Sequence, residues 1–158
     1  GSLHGGANAN VMRMLKEVDN SDTDPRTWVE QALDEGRRVP GFGHRVYNVK
    51  DPRAEILGTK SKELAETAGE ARWYDYSTTI EAYIADEKGL VPNVDFYSAS
   101  TYYQMGIPVD AYTPIFAMSR VAVWIAHVLE QYEDNRLIRP RARYVGETDH
   151  PFPPLEER

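Results

Sequence analysis

Two of the chain's four histidines sit against glycine, His4 in LHGGAN and His44 in GFGHR. Glycine admits positive φ and lets backbone approach a ligand closely, at an entropic cost. A histidine framed in this way is either part of a turn or a group presented to a bound molecule. His4 also precedes a helical pattern. The positive end of a helix disfavours an imidazolium, so a histidine there tends to stay neutral and donate one hydrogen bond, which suits polarising a carbonyl. Asp95 lies between Val94 and Phe96 at a helix start. As a cap it would contribute roughly 0.5–2 kcal/mol. As a general base it would need its apolar neighbours to raise its pKa, whereas the helix end favours the charged form. The sequence leaves both readings open.

Three arginines extend the set. Arg53 falls in the first turn of a helix opened by Asp51-Pro52, where a cation opposes the macrodipole at a cost of roughly 0.3–1 kcal/mol. Surface arginines tolerate that cost, yet a cation just beyond a Gly-His loop is well placed to hold a carboxylate through two parallel bonds. Arg120, inside AMSRVAVWIA, needs an anionic partner if it is buried. Arg139, in IRPRARYVG, is either one of a solvated basic run or a third anion ligand. His127, within an apolar helical pattern, and His150, in the proline-rich tail HPFPPLEER, read as structural. Together these residues fit chemistry on a small polycarboxylate, with one base and two hydrogen-bond donors acting on carbonyls. Two histidines and an aspartate also match the ligand set of a facial-triad iron enzyme, but the arginines would repel a divalent cation.

The elements that must position these groups are helical. Val11, Met14, Leu15 and Val18 recur at helical spacing, and Trp28, Val29, Ala32 and Leu33 follow an Asp24-Pro25 start that Gly36 ends. A third helix after Asp51-Pro52 carries Ile56, Leu57, Leu64 and Ala65 and is expected to loosen near Gly58. Tyr76, Ile80, Tyr83 and Ile84 mark a fourth that stops at Gly89, and Pro92-Asn93 opens a fifth that Gly106 and Pro108 close. The longest begins at Thr113-Pro114, and its stripe of Ile115, Met118, Val121, Ala122, Ile125, Val128 and Leu129 is expected to be deeply buried. No alternating strand pattern competes, so the fold class is all-α with about six helices.

Composition narrows the function. Twenty-five acidic residues against 18 basic ones give a net charge of −7, which disfavours nucleic acid as a partner because phosphate binding needs a basic face. The cations are five lysines and 13 arginines, a balance that suits adaptation to high salt as readily as ordinary acidic composition. The absence of cysteine excludes disulfides and thiolate-ligated metals. No apolar run approaches the ~20 residues of a bilayer span and no signal-peptide pattern opens the chain. The expectation is a cytoplasmic protein with no membrane partner.

In order along the chain, LHGGANANV, VPGFGHRVYNVKDPRA, PNVDFYSAS, SRVAVWIAHVLEQ and IRPRARYVG resemble the C-terminal part of citrate synthase, from Gly1 to about Gly146. The resemblance implies an all-α, multi-helical homodimer with a large and a small domain and the active site between them. It implies condensation of acetyl-CoA with oxaloacetate, hydrolysis of the citryl-CoA formed, coenzyme A as product, and no tightly bound cofactor or metal. His4 would meet the thioester oxygen, Asp95 would take the methyl proton and His44 would polarise the ketone. Arg53 and Arg120 would bind the oxaloacetate carboxylates, with Arg139 reaching into the partner subunit's site. Coenzyme A would lie along Val39, Gly41, Phe42 and Gly43, with Leu3 and Asn93 nearby. Residues 1–112 would form the small domain and 113–158 the C-terminal segment of the large one. Family chains are much longer, so the rest of the large domain would come from outside these residues and the isolated chain would have little activity. A 2-methylcitrate synthase acting on propionyl-CoA is the near alternative, since one methylene is worth only ~1–3 kcal/mol of discrimination. A non-catalytic fragment is the remote one.

Overall fold

The computed structural model describes residues 4–47, 49–136, 143–146, 148, 154 and 156. The chain divides into two compact units, Gly1–Ala122 and Val123–Arg158, which are taken one at a time. The all-α expectation holds, with six α-helices among the described residues: α1 (Ala7–Asp19), α2 (Pro25–Asp34), α3 (Pro52–Ala68), α4 (Arg72–Lys88), α5 (Val94–Gln104) and α6 (Tyr112–Glu133).

Local chemistry sets the helix ends. The Asp24 carboxylate accepts from the N–H groups of Arg26 and Thr27, both at 3.1 Å, with Pro25 as the first helical residue. After α2, Gly36 takes φ +72°. Its N–H reaches Leu33 O at 2.9 Å and that of Arg37 reaches Ala32 O at 2.8 Å, a closure that returns two orphan carbonyls to hydrogen bonds. Asp51 caps α3 as Asp24 caps α2, accepting from Arg53 N at 2.9 Å.

In the first unit α5 is the axis, with α1, α3 and α4 packed around it. Phe96, Tyr97, Ser98, Ala99, Ser100 and Thr101 are all buried, so the helix shows no apolar stripe because no side of it faces water. Its small polar groups bond inward: Ser61 Oγ and Ser100 Oγ are 2.8 Å apart, and Tyr112 donates its hydroxyl to Ala99 O at 3.0 Å. Met12, Leu15, Val29, Trp73, Ile80 and Ile84 fill the surrounding core. The second unit holds the latter half of α6 and the residues after it. There His127 Nδ1 pairs with Glu130 Oε2 at 3.1 Å on the surface, and Gln131 Nε2 donates to Arg136 O at 2.7 Å.

Three expectations need correction. α3 does not loosen at Gly58; it is continuous, and Gly58 faces the ring of Tyr97. The α6 stripe is not deeply buried: Met118 is 74%, Ile125 55% and Leu129 58% exposed, and only Tyr112 of that helix is buried. Periodicity states which side of a helix is apolar; it does not supply the element that covers it. The membrane reading also shifts. Val109–Glu133 is long and apolar enough to cross a bilayer by length and composition alone. Arg120 and Glu130 break that stretch into shorter apolar runs, and ionisable residues inside a span are costly.

A Cβ added at Gly58 would meet Tyr97 ring carbons at 3.5 Å, an ordinary contact. Gly58→Ala should therefore stabilise the first unit by about 0.5–1 kcal/mol, read as a higher midpoint in urea unfolding with an unchanged slope.

Candidate active site

The loop between α2 and α3 carries most of the candidate chemistry, and the approach to α5 holds it in place. Phe42 and Pro92 form an isolated antiparallel bridge. Gly43 N donates to Val91 O at 3.0 Å and Asn93 N to Gly41 O at 2.9 Å. The Asn93 side chain donates to Gly43 O at 2.9 Å while its own oxygen accepts from Asp95 N at 3.0 Å. Gly41 has φ +90°, and a Cβ there would stand 2.7 Å from Phe96 Cδ2 and 2.9 Å from Val11 Cγ2. The position needs glycine both for its conformation and for the space.

His44 follows directly. Its Nδ1 accepts from the N–H groups of Val46 at 3.0 Å and Tyr47 at 3.1 Å. A neutral ring so held carries its proton on Nε2 and can donate from there. The Asp51 carboxylate, 1% exposed, grips Arg53 twice: Nε donates to Oδ1 at 3.0 Å and Nη2 to Oδ2 at 2.7 Å. This grip offsets the dipole penalty expected of a cation there. It also engages half of the guanidinium fork and leaves Nη1 uncommitted among the described residues. The guanidinium hydrogen bonds hold the Asp51 carboxyl below its ordinary range despite burial, and the same contact raises the Arg53 pKa.

Asp95 does not cap its helix; Asn93 does. The Asp95 carboxyl is pushed up above its ordinary range, chiefly by burial. The nearby His4, Arg53 and His44 pull it down less than desolvation raises it, and the Asp51 charge adds to the rise. The conflict left open by the sequence thus resolves toward a carboxylate suited to accept a proton. His4 meets Phe116 edge-on, ring centres 5.3 Å apart, and the Arg120 guanidinium lies 4.8 Å from the centre of the same ring. Arg120 is half-buried, and its only hydrogen bond among the described residues goes to Ser119 Oγ at 3.3 Å. The anionic partner it would need if fully buried is not found among the described residues.

These groups line one open cavity of about 990 Å³. His4, His44 and Asp95 are there, with Arg53 and Arg120. Val39, Gly41, Phe42, Gly43 and Asn93 form the wall around the glycine loop. Leu3 and Arg139 lie outside the described residues. Sequence reasoning missed Arg37, Arg38, Arg45, Lys88 and Phe116, which also line the cavity. The signals were present: an Arg-Arg pair before the glycine loop, an arginine after His44, and an aromatic four residues before Arg120. Six cations face the cavity against one carboxylate, Asp95, in a chain whose net charge is −7. Among the described residues no three His, Cys, Asp or Glu groups stand close enough to hold a metal ion.

The family profile described as citrate synthase, C-terminal domain, matches residues 1–141. The chain belongs to the citrate synthase family. It is 75% identical over its whole length to a citrate synthase of Haloferax volcanii and 51% identical to citrate synthase 2 of Bacillus subtilis, spanning 42% of each. A 2-methylcitrate synthase of Shewanella oneidensis is 41% identical over the same span. Among solved structures, the citrate synthase of Thermoplasma acidophilum, in a ternary complex with carboxymethyl coenzyme A and oxaloacetate, superposes with a TM-score of 0.77 at 37% identity. That match covers 100% of this chain and 43% of the other. The chain thus corresponds to less than half of the citrate synthases it resembles.

Gly41→Ala should cost about 2–5 kcal/mol, from left-handed strain and overpacking. Gly43→Ala, at φ +75° with open space beside it, should cost only about 1–2 kcal/mol of left-handed strain; equal urea midpoints would contradict the packing. Asp95 binds its proton more tightly folded than unfolded, so ionising it costs stability as pH rises through its native pKa. Asp95→Asn should therefore melt higher than the parent at neutral pH, with the gap narrowing as pH falls through the raised native pKa toward the ordinary carboxylate value and no further change below it.

Proposed function

We propose that this chain is the C-terminal part of a citrate synthase that condenses acetyl-CoA with oxaloacetate. Residues 1–112 would be its small domain and 113–158 a segment of the large one. The observation that carries the reading is the convergence of His4, His44, Asp95, Arg53 and Arg120 on one cavity beside the glycine loop.

The Asp95 carboxylate takes a proton from the thioester methyl group, and the C–H electron pair becomes the enolate double bond. Negative charge develops on the thioester oxygen, where the His4 N–H stabilises it; one preorganised donor of this kind is worth roughly 2.7–4 kcal/mol. The enolate carbon bonds to the ketone carbon of oxaloacetate while His44 Nε2–H protonates the ketone oxygen. Water then cleaves the citryl thioester and releases citrate and coenzyme A. Arg53 and Arg120 hold the oxaloacetate carboxylates, which aligns the reacting carbons. Arg139 contributes from the partner subunit of a homodimer. Coenzyme A runs along Val39, Gly41, Phe42 and Gly43, with Leu3 and Asn93 as further contacts, and the cations of the rim, Arg38, Arg45 and Lys88, meet its phosphates. The reading needs no metal or redox cofactor, no nucleic acid and no membrane, and places the enzyme in the cytoplasm. The 75% identity to a citrate synthase, against 41% to a 2-methylcitrate synthase, supports acetyl-CoA over propionyl-CoA.

Thiol release measured with each thioester and oxaloacetate tests this. The full-length protein should turn over acetyl-CoA faster than propionyl-CoA, the isolated chain should stay near background, and Asp95→Asn should lower kcat by about 10²–10⁴. No turnover by the full-length protein, or near-normal turnover by the isolated chain, would overturn it.

A further inference from the structure

Glu81 lies on α4, does not line the cavity and has no part in the reaction above. Its two oxygens nevertheless reach two different elements that carry active-site groups. Oε1 accepts from Lys50 Nζ at 2.8 Å. Oε2 accepts a hydrogen bond from the Tyr97 hydroxyl. Lys50 immediately precedes Asp51, whose carboxylate grips Arg53. Tyr97 is 3% exposed on α5, two residues beyond Asp95.

The stretch from His44 to Lys50 needs such a tether. Its start is pinned through Gly43 to Val91 and Asn93, and its end through buried Asp51. Between them Val46 is 73% and Val49 70% exposed, so burial holds little of the stretch. Exposed lysine–carboxylate pairs are usually weak because both side chains wander. Here the buried Tyr97 hydroxyl fixes the Glu81 carboxylate, and that fixed carboxylate gives Lys50 a place to dock.

We infer that Glu81 is a positioning residue, and that Lys50–Glu81–Tyr97 is a strut holding the segment of His44 and Arg53 in register with Asp95. The inference rests on the proposed reaction for what the register serves. If the strut fails, the ketone- and carboxylate-binding side drifts relative to the base while the wall of the glycine loop stays in place.

The test uses the full-length protein with Lys50→Met, Glu81→Gln, Tyr97→Phe and the Lys50→Met/Glu81→Gln double variant. Lys60→Met, which breaks the exposed Lys60–Glu63 pair on α3, is the control. Each strut variant should raise KM for oxaloacetate by about tenfold while KM for acetyl-CoA holds within about twofold. The double variant should do no worse than about the larger single effect, because both changes cut one connection. Hydrogen–deuterium exchange provides an arm independent of turnover. Amides of residues 44–47, 49–51 and 53 should exchange about tenfold faster in the strut variants than in the control. Unchanged exchange there overturns the strut, and so does an unchanged oxaloacetate KM in active enzyme or multiplicative effects in the double variant. Should the parent protein release no thiol at all, the proposed reaction falls and exchange alone decides the strut.

Discussion

Asn93 makes three commitments at once, and the site depends on all of them. Its backbone N–H holds Gly41, its side-chain amide holds Gly43, and its side-chain oxygen caps α5 through Asp95 N. The first two fix the glycine loop against the core without a sheet to do so. The third removes Asp95 from capping duty. A carboxylate that capped its own helix would be held charged by the N–H groups of the first turn. Because a neutral amide takes that task, Asp95 is left to an environment in which desolvation governs its proton.

Two aspartates near one cavity are thereby driven apart. Asp51, almost fully buried, is matched to a guanidinium and stays ionised; Asp95, partly buried, keeps no such partner and is pushed toward the protonated form. The surrounding cations complete the pattern, since a cavity with six basic residues sits in a chain of net charge −7. Overall charge excludes little about a concave site. Apart from Asp95 the described acidic residues do not line the cavity, and the excess of cations that do is the arrangement that concentrates polyanionic ligands.

Much of this could be read from the residues in order. The Asp-Pro starts, the Gly36 and Gly89 stops and the glycine-framed histidines are local signals, and the helices and the loop appear where those signals put them. The failures share a cause, which is that each depended on a neighbour distant in sequence. Gly58 looked like a weak point because the Tyr97 ring opposite it is 39 residues away. Arg53 looked unfavourable for its helix until the Asp51 carboxylate folded back onto its guanidinium. The α6 stripe announced an apolar side without announcing a cover. Arg38, Arg45 and Lys88 carry no periodicity, and only the bending of the chain around the cavity brings them to one rim.

The turn after His44 constrains which side chains could stand in its place. One ring nitrogen is occupied as a double acceptor by the N–H groups of Val46 and Tyr47, which leaves the other as the donor. Asparagine places an oxygen near the first position and could keep the turn, yet it has no donor one atom further out. Glutamine reaches the outer position with an N–H but leaves the two backbone groups of the turn without an acceptor. Imidazole alone spans both distances with an acceptor near the backbone and a donor at the tip, so the fold of the loop and the chemistry at its tip select the same residue.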